Sequence, residues 1–399
     1  MLDARGRATA EAFRPPYAAI VCAIGTVALV GVGLSLTIAL IAIRLGEQGF
    51  SARAIGFNTA AAGVSTLLSA GFIPGLARRF GVRRLLLAAI ALCACCLGAM
   101  ALTDGYWLWL GLRAIFGAGL TVLFVLSEYW INAVAPPTRR GAVLGFYAAA
   151  VALGFAAGPL VLTLVGTVGA APFVAALLIF VAATPIAFQS GSAPPLGERA
   201  SAPVLAFMFV APVATLAGLL HGSIEAASFG LLPVFALRLG ADAQTGAWFV
   251  TLFALGAALL QLPMGALADR CDRRAILLGV AAASIVGALA LAFIAPLGSA
   301  FAALLLAWGG LVGSFYALAL GLLGSRYKGT ELANVNAAFV MLYSAGMLVG
   351  PPVVGAGMDA LGPSGLFLAC AALVAVYLAI ATTAGREPRS KGPAERAPP

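Results

Sequence analysis

The chain's single histidine lies four residues before a glutamate in an otherwise apolar stretch, AGLLHGSIEAASFGLLP, at positions 217–233. Side chains four residues apart share one face of an α-helix, so we expect His221 and Glu225 to be neighbours. An acid held in an apolar environment is costly unless it is wet, paired or protonated, and this makes Glu225 a candidate for binding and releasing a proton. The alternatives are a protonated glutamate bonded to nearby backbone and, for His221, a packed ring satisfied by one hydrogen bond.

Two other charged residues also lie inside apolar stretches. Arg113 in RAIFGAG and Glu128 in LSEYWIN are separated by about 22 Å of helix rise, which excludes a direct pair between them. Arg113 and Glu225 are each expected about 10 Å inside the same membrane face, which predicts a proton-sensitive contact between them. The alternative for Arg113 is bonding to helix carbonyls and water. Glu128, beside Tyr129 and Trp130 of a predicted interfacial aromatic belt, is interpreted as a gate or interface charge, or as a solvated edge.

The elements that carry these residues belong to a chain of 399 residues that is 62% hydrophobic and only 9% charged. A soluble domain of this size leaves about a quarter of its chain surface exposed to water, which does not suit so apolar a sequence. We therefore predict an all-α integral membrane protein, because only helices satisfy an open chain's backbone in lipid. Twelve apolar runs are long enough to span a bilayer: 17–43, 54–76, 85–103, 107–133, 142–166, 171–188, 205–236, 244–267, 275–296, 299–324, 332–358 and 363–384.

Basic residues are distributed unequally between alternate loops. The termini and the loops on their side of the membrane together hold 19 Lys and Arg residues. The loops on the opposite side hold only Arg44, Arg53 and Arg238. This bias predicts a multi-pass protein of a bacterial inner (plasma) membrane with both termini in the cytoplasm. The first run is too long for a signal-peptide core. The net charge of +9 lies in short loops without a basic–aromatic pattern, which argues against nucleic acid as a partner.

The chain also divides into two similar halves. PGLARRFGVRR at 74–84 corresponds to GALADRCDRR at 265–274, and GFAAGP at 154–159 corresponds to GMLVGP at 346–351. Both offsets are close to 191–192 residues, so they belong to one duplication. We predict a six-helix bundle at 1–188, a cytoplasmic linker at 189–203, and a second six-helix bundle with a short cytoplasmic tail at 204–399. Paired bundles of this kind are typical of secondary transporters.

Three motifs in this arrangement resemble the major facilitator superfamily, and the resemblance covers essentially the whole chain. GALADRCDRR resembles its loop motif through Asp269, Arg270, Arg273 and Arg274, with Asp272 in place of the usual glycine; in the first-half copy an arginine occupies the aspartate position. The second motif lies in the fourth run, at Arg113, Gly117 and Gly119. The third lies in the fifth run, at Gly145, Gly154, Gly158 and Pro159. The fifth-run motif resembles that of antiporters but lacks its final Gly–Gly pair. The combination is also similar to a poorly characterised YcaD-like branch, which leaves the substrate open.

The resemblance implies twelve transmembrane helices in two pseudo-symmetric bundles, with a cavity lined mainly by spans one, four, seven and ten. It implies that Asp269 attracts the amino-terminal end of the fifth span, with Arg140 in reach, and that this contact acts as a gate. The alternative for Arg270, Arg273 and Arg274 is that they fix orientation and hold anionic lipid. The glycines and prolines are expected to pack and bend helices where the halves meet, together with Gly346, Gly350 and Pro351 of the eleventh span. Possible substrate-lining residues, with packing as the alternative, are Trp308, Tyr316, Tyr343 and Ser344.

These features predict a transporter driven by an ion gradient. The sequence has no P-loop for ATP, no metal-ligand cluster and no soluble domain large enough for an enzyme, and its six cysteines are interpreted as structural. We expect proton-coupled efflux of a small organic solute by a monomer, with protons and membrane lipids as its other partners and with neither cofactor nor metal. Proton-linked uptake or facilitated diffusion of a metabolite is the alternative. A non-transporting receptor or scaffold and a membrane-embedded enzyme are weaker alternatives.

Overall fold

The structure, a computed structural model, describes residues 17–69, 71–134, 140–184, 211–327 and 329–383. The regular elements in these ranges are all α-helices. The first half contains α1 (Tyr17–Glu47), α2 (Ala52–Ser69), α3 (Ile73–Phe80), α4 (Val82–Leu102), α5 (Tyr106–Val134), α6 (Arg140–Val165) and α7 (Ala171–Ala182). The second half contains α8 (Pro212–Arg238), α9 (Ala243–Arg270), α10 (Arg273–Phe293), α11 (Ser299–Arg326), α12 (Gly329–Leu361) and α13 (Gly365–Thr383). The predicted all-α membrane architecture is confirmed.

Nine helices in the described ranges are long and apolar enough to cross a bilayer, or ten if the bent pair α2 and α3 forms one span. Two shorter apolar segments, 149–165 of α6 and 171–182 in α7, complete the set. Each of the twelve predicted runs coincides with one helix or with the α2–α3 pair, while the count of twelve spans stays a prediction. Below, "external" denotes the side whose loops hold few basic residues and "cytoplasmic" the opposite side.

The second predicted run is not one straight helix. Helices α2 and α3 meet at an angle of 63°, and α3 has a proline, Pro74, in its first turn, where the missing N–H costs no helical hydrogen bond. The gap between the second and third predicted runs, residues 77–84, is not a loop either. It is helical except at Gly81, whose φ of 82° lies in a region that glycine adopts readily.

Several buried hydroxyl groups donate to a carbonyl of the preceding turn of their own helix, which satisfies them in an apolar environment. Thr37 donates to the carbonyl of Gly33 (2.5 Å), Ser223 to that of Leu219 (2.8 Å), and Ser314 similarly to the preceding turn of α11. These bonds allow polar residues to lie in spans without a partner on another helix.

Two aspartates cap helices at loops outside the spans. Asp242 begins α9 and accepts hydrogen bonds from the backbone N–H (2.8 Å) and hydroxyl (2.6 Å) of Thr245, which lower the pKa of its carboxyl. Asp272 begins α10 and accepts from the N–H of Ala275 at 2.7 Å. The aspartate that departs from the loop motif therefore stabilises the start of a helix.

The duplicated glycines pack helices within each half, not between the halves as predicted. A side chain at Gly154 would overlap the carbonyl oxygen of Ala28 on α1, and one at Gly346 would overlap that of Leu219 on α8. Gly158 likewise meets α1 and Gly350 meets α8. Because Ala28 and Leu219 are also separated by 191 residues, the two halves repeat the same close approach of helices. Pro159 and Pro351 lie inside α6 and α12 beside these contacts.

The glycines of the fourth run also permit close packing within the first half. A side chain at Gly117 would overlap the backbone of Ala62 on α2, and one at Gly119 would meet the thiol of Cys93 on α4. These two positions therefore fix α5 between α2 and α4.

The two halves meet through the external parts of their helices. Helix α2 packs along α12, with Gly56 against Pro351, and Gly230 of α8 packs against Thr59. Helices α6 and α9 also meet, where the Gln244 side chain donates to the carbonyl of Thr163 at 3.1 Å. Since these contacts lie in the external half of each helix, the external side is closed.

Asp359, near the external end of α12, forms the strongest polar contact of this closure. Its two carboxylate oxygens accept hydrogen bonds from the backbone N–H groups of Ala52 and Arg53, each at 2.9 Å, at the start of α2. Arg238 donates to the same carboxylate at 2.5 Å and to the carbonyl of Met358 at 2.9 Å. An aspartate of one half thus caps a helix of the other half, at the end where the helix dipole favours negative charge. We name this contact the external clasp.

Replacing Asp359 by alanine should loosen the external closure. A hydrogen bond to a charged group contributes about 1.5 kcal/mol or more, so loss of the clasp should increase external opening at least about tenfold. A cysteine placed at Ala60, which is buried on α2, the helix that packs along α12 of the other half, should then react correspondingly faster with a membrane-impermeant maleimide, as measured by site-resolved mass spectrometry.

The matched control is Asp242→Ala, which removes an external aspartate that caps a helix within its own half. Its labelling rate at position 60 should equal that of the parent. Equal rates in Asp359→Ala and the parent would show that the clasp does not hold the halves together.

Candidate functional site

Glu225 lies midway along α8, thirteen residues from each end and about 20 Å from the external end. The structure places it beside His221, with Nε2 of the histidine 3.6 Å from Oε2 of the glutamate. The His221 side chain is only 7% exposed, whereas that of Glu225 is 25% exposed. The residues that the helical spacing brings together therefore form a cluster in the middle of the membrane.

Two tyrosines from other helices complete this cluster. Tyr343 of α12 donates its hydroxyl to Oε2 of Glu225 at 2.6 Å, and its ring stacks on that of His221 at 5.7 Å. Tyr316 of α11 contacts both rings, at centroid distances of 5.6 Å and 5.7 Å. Phe339 packs edge-on against Tyr316 at 5.1 Å. A carboxylate is thus held by one hydroxyl donor among aromatic rings.

The backbone of α11 determines which nitrogen of His221 carries hydrogen. Nδ1 lies 3.0 Å from the carbonyl oxygen of Val312, and because a carbonyl only accepts, Nδ1 must be the donor. In the neutral ring, Nε2 is then an acceptor that faces another acceptor, the Glu225 carboxylate. A proton on either group would turn this contact of two acceptors, 3.6 Å apart, into an attractive one.

Glu128 faces the space between the halves from α5. Its side chain is exposed, and its charge interacts with Tyr147 of α6 and with Tyr316 of α11, in the other half. The interacting helices α5 and α11 have no extensive contact with each other, since the halves meet at the external ends of other helices. Glu128 is exposed and Tyr147, Glu225, Tyr316 and Tyr343 are partly exposed. We call the space between the halves at these residues, on the cytoplasmic side of the external contacts, the central cavity.

Arg113 and Glu225 do not pair in this structure, contrary to the prediction. Helix α8 continues through Pro233 to Arg238, so Glu225 lies about 20 Å from the external end, while Arg113 lies about 10 Å from the start of α5. Arg113 is 1% exposed, and none of its three guanidinium nitrogens has a hydrogen-bond partner in the described part of the chain. It is a buried cation in the closed external half.

Two of the four candidate lining residues are part of the helix packing instead. Trp308 is completely buried, donates from Nε1 to the carbonyl of Ser284 at 3.1 Å, and packs against Phe253. Ser344 is buried and donates to the carbonyl of Val340 in its own helix.

The aromatic belt predicted beside Glu128 is also wrong at Trp130, which is buried in the protein.

The arginines of the second-half loop motif bind carbonyl groups at cytoplasmic helix ends. Arg273 donates to Ala268 (3.2 Å) and to Gly321 on α11, and Arg274 donates to Ala381 on α13 at 2.9 Å. Positive charge is favourable at the carboxyl ends of helices, so these bonds stabilise the second bundle. Arg270 is exposed. The structure does not describe the side chains of Asp269 and Arg140 or the surroundings of Gly145. Their predicted gate and packing roles therefore stay predictions.

Sequence reasoning missed three parts of these sites. Tyr147 is a single polar residue in GFYAAAV and could have been noted as a candidate on the fifth run. Asp359 could likewise have been noted as an acid at the end of an apolar run. The carbonyl of Val312 has no sequence signal, because every residue carries one.

The unpartnered guanidinium predicts that Arg113 lowers the stability of this conformation. Replacing a buried charge by an apolar residue of similar volume often stabilises a protein by about 1–4 kcal/mol. We therefore expect Arg113→Met to raise the unfolding temperature in detergent by at least about 2 °C. Arg270→Met, at an exposed arginine, is the control and should change it little. A lower unfolding temperature for Arg113→Met would mean that the guanidinium is stabilised by its surroundings.

Comparison with known proteins agrees with this architecture. The sequence model of the Major Facilitator Superfamily matches residues 23–214 and 214–398. The chain is 26% identical over 382 residues to the uncharacterized MFS-type transporter YfkF of Bacillus subtilis (strain 168), covering 92% of this chain and 95% of the relative. It is 25% identical over 346 residues to the uncharacterized MFS-type transporter YcaD of Salmonella enteritidis PT4 (strain P125109), covering 85% and 88% of the two chains.

The fold is similar to that of a solved D-xylose-proton symporter. The TM-score is 0.73 at 15% sequence identity, and the match covers 93% of this chain and 98% of the symporter. Family, relatives and fold agree over nearly the whole length, and the chain therefore belongs to the Major Facilitator Superfamily of membrane transporters.

Proposed function

We propose that this protein is a proton-coupled secondary transporter that exports a small organic solute in exchange for protons. One observation carries the proposal: His221 and Glu225 lie midway along α8 beside the central cavity, with Nε2 3.6 Å from Oε2 and with Nδ1 bonded to the Val312 carbonyl. A group that binds one proton at this depth can be loaded from one side and unloaded to the other.

The cluster is built entirely from the second half, which supports its movement as one unit. His221 and Glu225 belong to α8, Val312 to α11 and Tyr343 to α12, and these helices pack on one another. Rocking of the halves therefore leaves the hydrogen bonds intact and changes only the side from which water reaches Glu225. Opening the external clasp would expose the pair to external protons, and closing it would return the pair to the cytoplasm.

The surroundings of the pair support proton binding by Glu225 and not by another acid. Of the described side chains on the six helices that pack against α8, two titratable groups face the pair, Tyr343 and Tyr316. The acids and bases of α1, α2 and α9 lie at helix ends, and Tyr377 of α13 donates to the carbonyl of Val213. Glu128 of α5 is the next acid, and it interacts with Tyr316.

Export is favoured over uptake by the fifth-run glycines, whose spacing resembles an antiporter motif. Uptake with protons stays the second candidate, because a structure of similar fold is a D-xylose-proton symporter. We further propose that the protein acts as a monomer in a bacterial inner membrane, with both termini cytoplasmic and with bundles at 1–188 and 204–399 joined by the 189–203 linker, which lies outside the described residues.

The proposal is tested with purified protein in liposomes that contain a pH indicator. A panel of organic compounds is added outside in the absence of an imposed gradient. Exchange predicts that a transported compound enters while protons leave, so the lumen becomes alkaline. Proton-linked uptake predicts the opposite sign, and facilitated diffusion predicts no change. The sign of the pH change thus distinguishes the three mechanisms.

For a compound found in this way, Glu225→Gln should abolish the proton flux and the response to an imposed pH gradient, because glutamine cannot exchange a proton. Glu47→Gln, the same chemical change at an exposed acid at the end of α1, is the control and should leave both intact. Proton-coupled transport by folded Glu225→Gln, verified by its melting curve, would overturn the proposal.

A further inference from the structure

We infer that the transported solute is an organic cation that binds in the central cavity, with its charge near Glu225 and its apolar part against Tyr316 and Tyr343. The inference rests on the proposed function and names the substrate class of the same site. Only one oxygen of the Glu225 carboxylate is engaged by other side chains. Both of its interactions use Oε2, and Oε1 has no hydrogen-bond partner among the described residues.

Aromatic rings surround this acid in the arrangement that suits a cation. His221 covers one face of Tyr343, at an interplanar angle of 24°, while Tyr316 approaches both rings from the side. Tyr316 and Tyr343 stay partly exposed. Faces of aromatic rings attract cations by about 0.5–2 kcal/mol, and more when the cation is desolvated. A partly exposed carboxylate beside two partly exposed tyrosine rings therefore favours a positive charge that carries apolar groups.

The first half contributes a second acid to the same cavity. Glu128 lies about 33 Å from the external end of α5, whereas Glu225 lies about 20 Å from that of α8. Tyr316 and Tyr343 lie at about 25–27 Å on the same scale, between the two acids. A cation entering from the cytoplasm would thus pass Glu128, cross the tyrosines and reach Glu225.

The described part of the chain offers no comparable site for an anion in this cavity. Of the basic side chains in the interior of its spans, Arg113 is 1% exposed and about 10 Å nearer the external side than Glu225. The other, His221, is 7% exposed and its Nδ1 is bonded to the carbonyl of Val312. An anionic solute would meet two carboxylates at close range, and like charges at a binding surface cost several kcal/mol. A neutral solute could donate a hydrogen bond to the open oxygen of Glu225 but would lack the attraction between opposite charges.

Cation binding and proton binding compete at one carboxylate. A bound cation stabilises the ionised form of Glu225, so the proton held by the His221–Glu225 pair is released to water as the cation binds. Charge balances, because one positive charge replaces another. One-for-one exchange of a monovalent cation with a proton follows from this competition.

The inference is tested by binding to the purified protein in detergent, with tetraphenylphosphonium as probe and tetraphenylborate, an anion of nearly the same size and shape, as its matched ligand. We expect the cation to bind and the anion to bind at least tenfold more weakly. Glu225→Gln should weaken binding of the cation about tenfold or more, and Glu128→Gln should weaken it by a smaller factor. Glu47→Gln should bind as the parent does.

The proton count provides the second readout. In weak buffer, saturation with tetraphenylphosphonium should release about one proton per cation bound from the parent protein and none from Glu225→Gln. Glu225→Asp, which keeps the carboxyl, should retain both binding and release. Equal affinity for the cation and the anion, or unchanged binding of the cation by folded Glu225→Gln, would overturn the inference.

The two proposals fail in different ways. Glu225-dependent, proton-coupled transport of a neutral or anionic compound would overturn the substrate class and leave the proton coupling intact. Charge-selective binding of the cation without proton release, in a protein whose transport ignores a pH gradient, would overturn the coupling and retain the cation site.

Discussion

The hydrogen bond between Nδ1 of His221 and the carbonyl of Val312 is the constraint on which the central cluster depends. It fixes the tautomer of the ring and directs the lone pair of Nε2 towards the Glu225 carboxylate. Without it, the ring could turn its N–H to the acid, and the pair would be satisfied without an additional proton. A backbone group of α11 therefore makes proton binding a property of the pair instead of either residue alone.

The same cluster is connected to the closure of the molecule through α12. That helix provides Tyr343 to Glu225 at mid-membrane and Asp359 to the clasp at its external end. Because α12 also packs along α2 of the first half, the halves can separate on the external side only if the clasp breaks. The clasp and Tyr343, which donates to Glu225, lie on this same helix. The proposed proton site and the external closure thus share one helix, which is a short physical path between the two.

The local parts of this arrangement could be predicted from sequence and the long-range parts could not. Helical spacing indicated that His221 and Glu225 are neighbours, and the length of the apolar runs indicated the helices. The clasp joins Asp359 to Ala52 across 307 residues, and the Val312 bond spans 91, so neither leaves a periodic signal. The expected pair of Arg113 with Glu225 was wrong because α8 continues through Pro233 to Arg238, which places Glu225 farther from the external end than expected.

The duplication explains the bundle but not its chemistry. Glycines 154 and 346 repeat one helix contact in both halves, since close packing is required in each. The titratable groups do not repeat: the positions 191 residues before Glu225 and 192 after Arg113 are Leu34 and Leu305, and the position 192 after Glu128 is Leu320. An acid placed at the same level in both halves would put two negative charges beside one cavity at one depth, where each raises the cost of ionising the other. The two acids lie at different depths of α5 and α8, and this separation reduces the repulsion between them. Under the proposed function, the asymmetry defines the order in which a cation meets the two acids.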